Sequence, residues 1–178
     1  MRKYFKNLNK FGLRAFEEDD LSTYRDFLDN SDVTKFLEMG DKPTSKIILN
    51  NTLCEAKSKD NIVFSIVEKE NDKLIGTTGL YLINWTARRA QFRILMGDPE
   101  YYGKGIGTKV TKSVVQYGFD RLNLEMIYLG VNKENLAAIK VYKNSGFIEG
   151  GIMRKFIYND GKYYDSIHMS IVKEEFNK

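Results

Sequence analysis

Cysteine, histidine and long apolar runs are scarce in this chain, and each scarcity removes a class of explanation. One cysteine, Cys54, among 178 residues forbids an internal disulfide and cannot build a cysteine-rich metal site. Its neighbours Leu53 and Ala56 predict a buried, structural thiol. One histidine, His168, leaves no histidine cluster for a metal. No apolar run approaches the roughly 18 residues that a membrane-spanning helix needs. The basic start, Met1 to Lys6, is not followed by an apolar stretch, so it does not read as a signal peptide, and a cytoplasmic protein is expected. Net charge is only +4 and there is no lysine/arginine block. The surface suits an anionic ligand without pointing to nucleic acid.

What remains is ordinary globular composition, 42% hydrophobic and 29% charged, on a chain long enough for one sizeable core. We expect a single domain over residues 1–178, with residues 1–9 a loose arm. Phe11 to Ala15 alternate as a strand. Glu17 to Asp20 supply the acidic start of a helix bearing Leu21, Tyr24, Phe27 and Leu28. Residues 30–42 have no clear period and read as a loop or short helix bordering a substrate site. Thr44 caps a helix through Ile47, Ile48, Leu53 and Ala56. Residues 62–67, 74–83 and 87–96 form three short-looped strands, an antiparallel meander. A helix with Val110, Val114 and Tyr117 follows, then a strand at residues 126–131. Asn135 caps a helix that carries Ala138, Ile139 and Tyr142 and is closed by Gly146. Asn159-Asp160-Gly161 turns a final hairpin. These elements imply an α/β fold with a mixed, twisted sheet flanked by helices.

The chemistry concentrates between Gln91 and Gly107. An apolar strand ends at Gly97-Asp98-Pro99, and Gly103-Lys104-Gly105-Ile106-Gly107 opens a helix. Glycines admit a ligand close to the backbone, and a helix N-terminus presents unpaired N–H groups to negative charge. The P-loop spacing fails, because five residues rather than four precede the Gly-Lys pair and Gly105 replaces Ser/Thr. The dinucleotide fingerprint fails too, since its third glycine falls on Thr108 or Val110.

Tyr102-Gly103-Lys104-Gly105-Ile106-Gly107 instead resembles the acyl-CoA loop, Gln/Arg-x-x-Gly-x-Gly/Ala, of the GNAT acetyltransferase superfamily. Tyr102 stands where that family places Gln or Arg. Asn135 to Phe147 is similar to the family's Asn-x-x-Ala-x-x-x-Tyr-x-x-x-Gly-Phe block, and the stretch from Asp160 to Ser170 resembles the branch of ribosomal-protein N-terminal and spermidine acetyltransferases. The resemblance covers residues 10–173. It implies a GNAT-like domain whose parallel strand pair, here residues 90–97 and 126–131, splays around the pantetheine arm of acetyl-CoA. Backbone groups of Leu95, Met96 and Gly97 would hold that arm and the thioester. N–H groups from Gly103 to Thr108 would hold the pyrophosphate, with charge from Lys104 and Lys109. Asn135 would bond the arm, and Tyr142 would protonate the departing thiolate.

The resemblance leaves the proton acceptor open. Many relatives carry a glutamate where this chain has Gln91, and an amide is no general base. Asp98, Glu100, Glu38 and His168 are candidates, as is release to water; for His168 a polar network within the strand is the simpler expectation. Cys54 is remote from both motifs, which favours direct sequential transfer over an acetyl-cysteine intermediate. The acceptor is a small amine, an amino sugar or a peptide N-terminus. A polyamine site would draw on Asp29, Asp32, Glu38 and Asp41, offset by Lys35 and Lys42, whereas Arg88, Arg89 and Arg93 suit a phosphate on the acceptor. The rival from another class is a non-catalytic acyl-CoA-binding sensor or scaffold. A homodimer is expected from the family alone, and neither a metal nor a nucleic-acid or membrane partner is expected.

Overall fold

A computed structural model describes residues 4–37 and 44–176. Eight strands form one sheet in the order β1-β2-β3-β4-β5-β6-β8-β7. They are β1 (Lys6–Leu8), β2 (Phe11–Ala15), β3 (Ile62–Glu68), β4 (Lys73–Asn84), β5 (Arg89–Met96), β6 (Met126–Asn132), β7 (Ile148–Asn159) and β8 (Lys162–Val172). The helices are α1 (Leu21–Leu28), α2 (Ser31–Thr34), α3 (Lys46–Lys57), α4 (Ile106–Asp120), α5 (Leu136–Asn144) and the terminal turn α6 (Lys173–Phe176). The segment expected to be a loose arm therefore contributes β1, which pairs with β2 across Lys6↔Leu13 and Leu8↔Phe11. Phe5 stacks on Phe64 and meets the edge of Tyr117, so apolar contact holds this short edge strand.

Ladders are antiparallel everywhere except β5–β6, where pairing covers only Arg89↔Met126, Ala90↔Ile127 and Gln91↔Tyr128. Beyond Gln91 the two strands no longer pair with each other, although β5 stays paired with β4 to Met96 and β6 with β8 to Asn132. Their backbone groups there border a gap in the sheet. One face of the sheet packs on α4 and α5: Ile75, Leu80, Phe92, Ile127, Leu129 and Met169 meet Val110, Val114, Phe119 and Tyr142. Strand alternation turns Gln91, Arg93 and Leu95 to the opposite face, where Phe27, Val33, Val67 and Leu74 form a smaller cluster.

Local chemistry explains most boundaries and corrects several expectations. Ser45, not Thr44, caps α3, its Oγ accepting the Ile48 N–H at 3.3 Å. Asp20 does more than complement a helix dipole. It sits buried in a bidentate pair with Arg14 at 2.7 Å for both bonds, and also accepts from Ser65 Oγ and the Glu17 N–H. Cys54 is exposed, because α3 buries Leu49 and turns the cysteine outward. The hairpin turn takes positive φ at Asp160 and Gly161, as a two-residue reversal requires. Among the described residues no helix is long and apolar enough to cross a membrane.

Candidate active site

The glycine loop has the form that anion binding requires. Gly103 and Gly105 both adopt φ +73°, a conformation costly for any residue with a Cβ, and a Cβ at either would meet nothing within 4 Å. The loop is left-handed and open rather than packed. Gly105 is the N-cap of α4 and brings no side chain to bond the first turn. Intrahelical bonding starts with the Lys109 N–H on the Gly105 carbonyl, so the N–H groups of Ile106, Gly107 and Thr108 have no partner within the helix. Ile106 is buried and anchors this end of α4 in the core, and at Gly107 the helix passes Val141 of α5, where a Cβ would make ordinary contact at 3.6 Å. The dipole of a fifteen-residue helix then adds positive potential at the loop.

Tyr102 departs from the expected pattern in an informative way. Its N–H is used within the turn Pro99–Tyr101, on the Pro99 carbonyl, while its hydroxyl donates to the Met96 carbonyl at 2.9 Å. The side chain thus ties the glycine loop to the end of β5. The neighbouring Gly97 N–H bonds the Ile75 carbonyl at 2.9 Å and so is turned toward β4, away from the gap. Leu95 packs on the α1 side. A Cβ at Gly97 would fall 2.0 Å from the Phe27 ring, which makes this glycine a packing requirement of α1 as well. Lys104 reaches over the Tyr101 ring, its Nζ 5.0 Å from the centroid, and Lys109 is exposed on the first turn of α4.

Asn135 and Tyr142 arrive on α5 from the other side of the gap. Asn135 Oδ1 accepts the Ala138 N–H at 3.1 Å, which satisfies the cap and leaves the amide NH2 free to donate. Tyr142 is 8% exposed. Its ring meets Phe92, the first β5 residue beyond the paired stretch, edge-on at 6.2 Å, and Phe147 at 5.9 Å. The hydroxyl has no hydrogen-bond partner among the described residues, and burial pushes its pKa up to about 12. A neutral phenol beside the gap is equipped to donate a proton and does not ionise at ordinary pH.

The proposed proton acceptors are dispersed. Asp98 is held by Lys73 at 2.8 Å and caps its turn through the Glu100 N–H; Glu100 is exposed on that turn; Glu38 lies outside the described residues. His168 stands on β8 opposite Gly130, with Nε2 3.7 Å from where a Gly130 Cβ would be. Its Nε2 is sealed from solvent with no polar partner, and Phe156 meets the ring edge-on. Among the described residues the expected polar network does not form at Nε2, although Ser166 Oγ lies 3.1 Å from the same Gly130 Cβ position. Of the polyamine set, Asp29 is engaged by Arg25, Asp32 is exposed on α2, and Asp41 lies outside the described residues. Arg88 pairs with Glu125 and leaves the site.

On the open face β5 presents an arrangement the sequence reading did not assemble. Arg93 donates from Nε and Nη2 to Gln91 Oε1, at 3.0 and 2.8 Å, and lies 4.6 Å over the Tyr81 ring. Tyr24 and Tyr81 share this corner. Burial raises both pKa values, the Glu55 charge raises them further, and the Arg93 charge opposes the rise. Period-two alternation along β5 was the signal that could have joined Gln91 to Arg93. No cluster of three or more potential metal ligands occurs among the described residues.

Comparison with known proteins places this geometry in context. Residues 10–148 match the family model described as an acetyltransferase (GNAT) domain. Spermidine N(1)-acetyltransferase of Escherichia coli (strain K12) is 33% identical over 165 residues, 92% of this chain and 87% of that protein. The Vibrio cholerae spermidine N(1)-acetyltransferase is 30% identical, over 92% and 94% of the two chains. A crystal structure of spermidine N-acetyltransferase from Vibrio cholerae with CoA and spermine superposes at a TM-score of 0.85, with 27% identity over 95% and 99% of the two chains.

Proposed function

This chain belongs to the GNAT acetyltransferase family and is an acetyl-CoA-dependent N-acetyltransferase, and from that premise we propose that it moves the acetyl group directly to a primary amine, with no acetyl-enzyme intermediate. The observation that carries the proposal is the convergence of an open, uncapped glycine loop and an unpartnered Tyr142 hydroxyl on the gap between β5 and β6. Acetyl-CoA supplies an acyl group already activated as a thioester. The N–H groups of Gly103, Lys104, Gly105, Ile106, Gly107 and Thr108 hold its pyrophosphate. Tyr102 contributes by fixing the loop to Met96, with its own N–H already committed. Along the gap, the backbone groups from Leu95 to Gly97 that the Ile75 and Tyr102 bonds leave free, with the Asn135 amide NH2, orient the pantetheine arm.

The amine reaches the thioester carbon from the open face, where Gln91 marks the last paired position. A carbon–nitrogen bond forms as the carbon–sulfur bond breaks, and Tyr142 delivers its proton to the departing sulfur. Gln91 accepts nothing from the amine, since its one acceptor oxygen is occupied by Arg93. The proton released by the nitrogen leaves to water, and Tyr142 regains its own proton from water before the next turnover. Exposed Cys54, on α3, takes no part. The exposed apolar side chains of edge strand β7, Ile148, Ile152, Met153 and Phe156, support the family expectation of a homodimer.

The test is thiol release from acetyl-CoA across amines of several classes: spermidine, an amino sugar and a peptide with a free N-terminus. Turnover with at least one is expected. Tight CoA binding with no turnover on any of them would favour the sensor reading instead.

A further inference from the structure

We infer that the acceptor amine carries an anionic group, a carboxylate or a phosphate, and that Arg93, set in place by Gln91, selects it. The inference rests on the acetyl-transfer reading and names the substrate class for that site. It begins with the valence of one side-chain amide. Gln91 offers a carbonyl oxygen and an NH2 group, and an arginine can only donate, so the oxygen must face Arg93. Both bonds, 3.0 Å from Nε and 2.8 Å from Nη2, end on that oxygen. The NH2 group is then what Gln91 has left to present. Nη1 of Arg93 has no partner among the described residues, so the face at the end of the β5–β6 pairing shows two sets of donors and a positive charge.

Position makes this a matter of specificity. Gln91 is the last residue of β5 paired with β6, where the gap for the thioester opens. Arg93 lies two residues on, roughly 7 Å along the strand and on the same face. The guanidinium cannot swing away freely, because it stacks on Tyr81, which is paired with Gln91 across the β4–β5 ladder. An amine bound with its nitrogen at the mouth of the gap therefore brings the atoms a few bonds away against Arg93. A second ammonium there would meet like charge and groups that only donate. A carboxylate or phosphate would accept from both. Among the described residues, the carboxylate whose charge reaches Tyr24 and Tyr81 at this corner is Glu55, which makes no ion pair with Arg93. Glu55 compensates part of the charge without supplying the row of carboxylates that a linear polycation requires.

The experiment uses the full chain and matched acceptors: glucosamine against glucosamine 6-phosphate, and 1,4-diaminobutane against 4-aminobutanoate, with spermidine as the polycation. Thiol release gives kcat/KM for each. Calorimetric binding of the same compounds to the CoA-saturated protein reads the preference independently of turnover. The anionic member of at least one pair should be favoured about tenfold or more, the scale of one charge-assisted hydrogen bond. R93Q should erase most of that ratio through KM, and R93K should restore part of it. Q91E, which offsets the arginine charge, should move the preference toward spermidine. Spermidine favoured over every anionic amine, or a ratio unchanged in R93Q, overturns the inference while leaving acetyl transfer intact. Absence of turnover with any amine overturns acetyl transfer, and the calorimetric ratio then decides the anion preference by itself.

Discussion

Replacing Tyr142 by phenylalanine deletes one oxygen from a buried ring and separates catalysis from packing. The ring contacts to Phe92 and Phe147 survive, and no protein hydrogen bond is lost because the hydroxyl makes none among the described residues. The change in folding stability at neutral pH should therefore be within about 0.5 kcal/mol, below the value of a typical hydrogen bond. If the hydroxyl protonates the leaving thiolate, kcat should fall roughly 10²- to 10⁴-fold, the range of general-acid catalysis. CoA affinity should barely move, because the pyrophosphate is held by the glycine loop. Alkaline pH gives a second reading. An unfolded tyrosine ionises near pH 10, whereas burial holds Tyr142 protonated to about 12. Raising the pH between those values draws protons from the unfolded chain only, so this residue's contribution to stability is intact below about 10 and is lost as pH climbs toward 12. Y142F lacks that loss and should gain on the wild type by up to roughly 2–3 kcal/mol at the top of the range. Single-turnover thiol release, calorimetry with CoA and urea melts at pH 8 and pH 11 provide the measurements. Full activity in Y142F, or a kcat loss matched by an equal loss of CoA binding, would refute the general-acid assignment.

Other parts of the molecule make further demands. Gly105→Ala forces a Cβ into φ +73° with open space around it; the cost is backbone strain of about 1–2 kcal/mol, seen as weaker CoA binding in calorimetry with the core melting only slightly earlier. Gly97→Ala would drive a methyl into the Phe27 ring. It should destabilise markedly, and a double-mutant cycle with Phe27→Leu should show coupling of opposite sign to the single losses. Asp20→Asn leaves buried Arg14 with Asp72, at 3.3 Å from its Nε, as its remaining partner charge, and urea midpoints should report a loss of up to about 3–5 kcal/mol. Burial alone would raise the Asp20 pKa, yet the Arg14 bond, the Glu17 N–H and Ser65 together hold it below the usual range. Its stabilisation is thus present above the ordinary carboxylate pKa and is lost as pH falls through the lowered one. Cys54, being exposed, should react with a thiol reagent in the native state, and Cys54→Ser should keep full turnover; an unreactive native thiol would contradict its placement.

What the sequence determined by itself was local or spaced at fixed intervals along the chain. Glycine at the two φ +73° positions of the loop, Asn135 as a cap seven residues before Tyr142, and Asp160-Gly161 at the hairpin each act within a few residues, so their order in the chain carries their meaning. The meander followed from strand period and loop length, and the parallel pair from the family resemblance of the two motifs. Tertiary structure decided what depends on partners far away in the chain. Aromatic packing on Phe64 and Tyr117 turned the supposed arm into β1. The rotation of α3 against the sheet sent Cys54 outward, which its apolar neighbours could not reveal. Asp20 acquired its role from Arg14 and from Ser65, forty-five residues on. Most consequentially, the same strand that places Phe92 against Tyr142 places Gln91 and Arg93 on the open face, where one amide oxygen is committed to one guanidinium. Side-chain valence satisfied in three dimensions decides which donors remain for a substrate, and no spacing of residues along a chain encodes that.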